Sequence, residues 1–229
     1  MPKHVGIVAC SAEGAALCYR TLCSEAPAVM GTHQHPEVSL HTFPLGRYME
    51  ALEREGWDAV AALMVASARK LASIGADFCI CPDNTIHQAF AGVERDSPLP
   101  WLHIAEEVAA EAARRQFRRL GILGTRFLMD GPVYPEKLAP RAIASVVPGE
   151  LQRQRINQVI FDELVNGRFL PESRAYFSAV IDDLKKQGCD AVVLGCTEIP
   201  LLVSDADSSL PTLDSTRILA RAALRKAIE

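Results

Sequence analysis

"LASIGADFCICPDNTIH", residues 71–87, carries an apolar run that ends in Pro82 and is followed at once by a carboxylate, Asp83. "LKKQGCDAVVLGCTEIP", residues 184–200, has the same form, with Cys196 in the corresponding place. Leu71 and Leu184, Gly75 and Gly188, Asp77 and Asp190, and Asp83 and Cys196 each lie 113 residues apart. Two weaker echoes flank them. "VGIVACS" (5–11) resembles "LGILGTR" (120–126), and "LPWLH" (99–103) resembles "LPTLD" (210–214). Matches in the same order at nearly the same spacing imply that one βα unit has been duplicated.

Short apolar runs at 4–10, 37–45, 77–82, 119–125 and 190–196 read as strands, and their continuous apolar character suits a parallel sheet buried on both faces. Helical patterns lie between them at 57–75, 102–117 and 173–188, with Gly75 ending the first. The alternation predicts an α/β fold of two similar lobes with mainly parallel sheets, related by a pseudo-twofold axis. The Leu-Pro segments mark crossings between lobes, since proline suits a connection better than a central strand or helix. Residues 1–98 with 211–229 are expected to form lobe one, and 99–210 lobe two. Ligands of open α/β sheets bind beyond the carboxyl ends of the strands. Asp83 and Cys196 both stand at such ends, so a cleft between the lobes is the expected active site.

The composition excludes several roles. The chain has 229 residues, 49% of them hydrophobic, and a net charge of −4, which offers no basic surface for nucleic acid. No apolar run approaches the roughly 18–20 residues that span a bilayer. The N-terminal "MPKHVGIVAC" reads as a first strand and not as a signal peptide, so a cytoplasmic location is expected. The seven cysteines are odd in number and lack disulfide-framework spacing, which fits free thiols in a reducing compartment. No H-x-x-x-H or C-x-x-C occurs, so no metal is expected. Dinucleotide and P-loop glycine fingerprints are absent, and no cofactor is expected.

Two proton-exchanging groups on opposite sides of one carbon can remove a proton from one face and return one to the other. Cysteine suits this work because its thiol ionises near neutral pH when positive charge or a helix N-terminus is close. Backbone N–H groups of Thr197 and Glu198 at the strand end are placed to steady a thiolate or a substrate carboxylate. Aspartate is a weak base unless burial or a neighbouring anion shifts it upward. Asp83 therefore has two readings, as a catalytic acid/base or as a cap of the following turn, since "DNT" is good N-cap sequence. His87 either orients this loop or packs at a helix start. His35-Pro36 reads as a turn, and Asp214 as part of a lobe-crossing turn.

"PDNTIH" and "GCTEIPLL" resemble the paired signatures of the cofactor-independent aspartate/glutamate racemase superfamily, in which the first usually reads C-N-T-x-H and the second G-C-T-E. "SAEGAALCYR" (11–20), "GTRFLMDGPVY" (124–134) and "INQVIFDELVNGRF" (156–169) also fit, so the resemblance covers nearly the whole chain. It is strongest to the L-aspartate/glutamate-specific branch. The resemblance implies a racemase or epimerase of an acidic or related amino acid, acting by proton transfer at Cα without a cofactor, in a homodimer. Cys196 matches the second catalytic cysteine. Asp83 stands where the first is expected, which is the main departure. Cys81 lies two residues earlier, about 6–7 Å back along the strand, too far to replace it. The resemblance assigns substrate binding to Asn84, Thr85, Thr125, Thr197, Glu198 and Ser11. Arg47 matches loosely a basic residue for the side-chain carboxylate, where a guanidinium pairs in bidentate fashion. Leu128 replaces a threonine of close relatives.

Two other functions fit the same residues. With one cysteine, the chain could decarboxylate or cis-trans isomerise a small dicarboxylate. It could also be an amino-acid-binding protein whose catalysis is impaired. The partner in each case is a small amino acid or dicarboxylate.

Overall fold

Eight strands form in the computed structural model, which describes residues 1–229. Val5–Ala9 (β1), Val38–Thr42 (β2), Phe78–Ile80 (β3) and Trp101–Leu102 (β4) make one parallel sheet in the order β2-β1-β3-β4. Arg119–Leu123 (β5), Ala144–Val146 (β6), Ala191–Leu194 (β7) and Thr212–Asp214 (β8) make a second, also parallel, in the order β6-β5-β7-β8. The chain is α/β, as the alternation predicted. It divides into two units, Met1–Ile104 with Thr216–Glu229, and Ala105–Ser215. Each Leu-Pro segment precedes the fourth strand of its sheet, so the chain leaves a unit only after that strand. No helix is long and apolar enough to cross a membrane.

The duplication is visible bond by bond. In the first sheet Gly6 registers with Cys79, and in the second Gly121 registers with Val192. A Cβ on Gly6 would lie 3.2 Å from Leu71, and one on Gly121 would lie 2.7 Å from Leu184. In both units a leucine of the preceding helix thus packs into the notch left by a glycine on the central strand. Those helices, Trp57–Ser73 and Pro171–Lys186, end in the same way. Gly75 and Gly188 take φ of 91° and 85°, the left-handed region that favours glycine. The next N–H returns to the leucine carbonyl, Ala76 to Leu71 and Cys189 to Leu184, both at 3.1 Å. One residue on, Asp77 accepts from the His4 N–H at 2.7 Å and its own N–H donates to the His4 carbonyl. Asp190 accepts from the Arg118 and Arg119 N–H groups, and its N–H donates to the Arg119 carbonyl.

Each sheet is covered on both faces, which explains why β1 is buried throughout. In the first unit Val8, Tyr48, Met64 and Leu71 pack on one face. Ile7, Leu22, Ile80 and Leu219 pack on the other, so the C-terminal helix Ser215–Ile228 closes this core. In the second, Ile156, Phe177, Val180 and Leu184 cover Val192 and Leu194. The expected strand 37–45 stops at Thr42, because Pro44 follows and caps a helix, Leu45–Arg54. Arg47 consequently sits in the first turn of a helix.

Candidate active site

Beyond β3 the chain passes through buried Cys81 and Pro82 to half-buried Asp83, then enters a short 3-10 turn, Thr85–Ala89. Asp83 Oδ1 accepts from the Ile86 N–H at 3.2 Å, so this carboxylate does cap the turn. Asn84 is buried and Thr85 half-buried on the same turn. His87 is buried, with Nδ1 2.7 Å from the Asp83 carbonyl oxygen and Nε2 accepting from the Ile104 N–H at 3.3 Å. The ring stacks on Phe90 and meets His103 edge-on. His87 is therefore packed at the start of the turn and at the same time bonded to the Asp83 loop, so its two expected roles coincide.

Cys81 is fully buried, and its thiol points at the Asp83 carbonyl, 4.0 Å away. Burial, and then the Asp83 charge, push that thiol well above its ordinary range. Burial likewise pushes the Cys79 thiol up to about 12. Neither is suited to act as a thiolate. Sequence reasoning missed Tyr48, which packs with Cys10 and Cys81 in one apolar cluster. Its hydroxyl is buried and makes no hydrogen bond. Burial, then the neighbouring Cys81 and Cys10, raise this phenol, while the nearby Ser67 acts the other way. Ser67 is itself held by His41 at 2.9 Å. Only the position of Tyr48, one turn into an amphipathic helix, was available to signal it.

Ser11 holds the N-cap position of the helix Ala12–Glu25 in extended backbone, but its side chain does not cap that helix. Arg47 is exposed, with its guanidinium 4.6 Å above the Phe43 ring. His35 Nδ1 bonds the Pro36 carbonyl at 2.8 Å. Asp214 ends β8 opposite Leu194, which corrects its expected place in a turn.

The corresponding tip of the second unit is built on two glycines. The Gly195 N–H donates to the Leu123 carbonyl at 2.7 Å, and a Cβ at 195 would lie 2.7 Å from that oxygen. A Cβ at Gly124 would lie 3.1 Å from the Gly195 carbonyl oxygen. The buried Leu128 side chain covers both glycines, so it is a packing residue. This close approach seats Thr125, whose hydroxyl accepts from the Leu128 N–H at 3.2 Å, next to the strand end that presents Cys196.

Cys196, Thr197 and Glu198 are all buried. The Cys196 thiol donates to Glu198 Oε2 at 3.0 Å, and the Thr197 hydroxyl donates to the same oxygen at 2.7 Å. Chemically this is a thiol with a proton acceptor already in contact, the arrangement that activates a sulfur nucleophile or base. Ser215 takes up the last carbonyl of β7, that of Leu194, at 2.8 Å. The structure thus gathers Asp83, Asn84 and Thr85 on one tip, and Cys196, Thr197, Glu198 and Thr125 on the other. No group of three or more His, Cys, Asp or Glu side chains is arranged to hold a metal ion.

Known proteins share this architecture. The Asp/Glu/hydantoin racemase family model matches residues 7–223. A Yersinia pestis protein described as a candidate Asp/Glu racemase has a crystal structure that superposes with a TM-score of 0.90 at 30% identity, covering 99% of this chain and 100% of that one. An aspartate racemase homologue from Pyrococcus horikoshii OT3 gives 0.85 at 26% identity, with all of both chains covered. The broad specificity amino-acid racemase RacX of Bacillus subtilis is 22% identical over 199 residues, 87% of this chain and 85% of that protein.

Proposed function

The chain belongs to the Asp/Glu/hydantoin racemase family, a family of isomerases, and on that premise we propose that it racemises an acidic or related amino acid by cofactor-independent proton transfer at Cα. The observation that carries this reading is the Cys196 thiol held on Glu198 Oε2 at 3.0 Å, at the site equivalent to Asp83 in the other unit. Glu198 takes the thiol proton, and the thiolate removes the α-proton from one face of the substrate. The C–H bond breaks, an S–H bond forms, and the electron pair spreads into the substrate carboxylate. Asp83, protonated, then delivers its proton to the opposite face, and solvent restores the starting proton distribution. Asn84, Thr85, Thr125, Thr197 and Ser11 supply hydrogen bonds to the α-carboxylate, and hydroxyl and amide donors suit that task. Arg47 leaves Phe43 to pair with the side-chain carboxylate. The enzyme works as a homodimer in the cytoplasm, and sedimentation velocity tests the dimer.

One observation favours a second reading. Asp83 Oδ1 is engaged as a cap, and a carboxylate confined to that role leaves Cys196 to act alone. One thiol delivering one proton suits decarboxylation or cis-trans isomerisation of a small dicarboxylate.

Proton exchange in D₂O, followed by NMR across a panel of amino acids, separates the two. The racemase exchanges the α-hydrogen of both enantiomers of its substrate, and Cys196→Ala abolishes exchange. Turnover of substituted malonates or maleate with no α-exchange in any amino acid overturns the racemase reading.

A further inference from the structure

Glu198 is 1% exposed, and its two oxygens are treated differently. Oε2 receives the Cys196 thiol and the Thr197 hydroxyl. Oε1 is buried and has no hydrogen-bond partner. A buried carboxylate oxygen without a donor bears a full desolvation penalty, and such groups ordinarily pair with a cation. Here the unmatched oxygen shares its carbon with the oxygen that touches the sulfur, so it lies at the thiol itself.

We infer that Glu198 Oε1 is the receptor for the α-ammonium group of the substrate. The inference rests on the racemase reading and sharpens it, because it restricts the substrates to molecules with a free amino group on the reacting carbon.

The test compares matched ligands by calorimetry: L-aspartate, L-malate and succinate, and L-glutamate against glutarate. The wild-type protein binds each amino acid at least tenfold more tightly than its deaminated twin, with malate between aspartate and succinate. Glu198→Gln brings the amino-acid-to-twin ratio close to one, chiefly by weakening the amino acid. A wild-type protein that binds succinate and glutarate as tightly as the amino acids overturns the inference, and this arm needs no variant. So does an unchanged ratio in folded Glu198→Gln. Failure of the racemase reading looks different, with amino-acid preference retained and no α-hydrogen exchange in D₂O. Absence of binding by any amino acid overturns both.

Discussion

His87 Nδ1 donates to the Asp83 carbonyl at 2.7 Å while its Nε2 accepts from the Ile104 N–H. A carbonyl can only accept and an amide N–H can only donate, so the tautomer is fixed by its neighbours. The ring is neutral and carries its proton on Nδ1. It ties the tip of β3 to Ile104, within the same unit. His87→Ala removes both bonds and leaves a void, with an expected loss of about 2–4 kcal/mol in chemical denaturation. Activity, measured as α-hydrogen exchange, falls with it. A variant as stable as the wild type would show that the clamp does not hold the tip.

Gly195 is predicted to be intolerant of any side chain. Alanine there drives a methyl group to 2.7 Å from a backbone oxygen, that of Leu123, which cannot rotate away. Gly195→Ala should cost about 1–3 kcal/mol as overpacking and displace Cys196. Gly124→Ala meets backbone at the longer 3.1 Å and should cost less. Thermal melts and exchange rates of the two variants, ranked against each other, check this order.

Tyr48→Phe tests the unbonded phenol. Removing a buried hydroxyl that makes no hydrogen bond should leave stability unchanged or raise it by about 1 kcal/mol. A clear loss in urea unfolding would mean that the hydroxyl is paired, with Ser67 the first candidate.

The bidentate pair between Glu25 and Arg221, at 2.7 and 2.8 Å, joins the first helix to the last within one unit. The Arg221 hydrogen bond holds the Glu25 carboxyl below its ordinary range. A depressed carboxyl stabilises the fold above the unfolded value, about 4.3 for glutamate, and the contribution is lost as pH falls through the lower folded value. Both side chains are partly exposed, so Glu25→Gln should cost no more than about 1 kcal/mol at pH 7 and less in high salt. Unfolding curves of variant and wild type should converge as the medium becomes strongly acidic.

Thiol modification should be selective. The Cys79 thiol, pushed up to about 12, stays protonated at pH 8, and Cys81 with it. Both are also fully buried. Brief treatment of the native protein with iodoacetamide, followed by peptide mass mapping, should leave both unmodified while Cys23, the only cysteine not buried, reacts.

The long central elements were legible because their signals are long. Seventeen residues of helix in Trp57–Ser73 show a full apolar face, and the 113-residue repeat placed β3 and β7 together with their tips. Trp101–Leu102, Ala144–Val146 and Thr212–Asp214 are two or three residues long. That is too short for any period to show, and they exist because a neighbouring strand offers its edge. The cap made by Asp83 was readable from "DNT", since the bond is local. The contact from Cys196 to Glu198 is just as local, but a two-residue spacing after a strand gives no direction to either side chain. Tyr48 needed the fold, because Cys10 and Cys81 lie on elements distant in sequence, and so did the bond from Ile104 to His87, whereas its bond to Asp83 is local.

The shared holds described in the two units, from the leucine over the glycine to the aspartate clamp at Asp77 and Asp190, are made behind the tip. That frame does not depend on whether a carboxyl or a sulfur finishes the strand; only the turn beyond β3, capped by the Asp83 carboxylate, does. The same separation of frame from tip leaves positions 83 and 196 open to exchange by an engineer without rebuilding the sheets behind them.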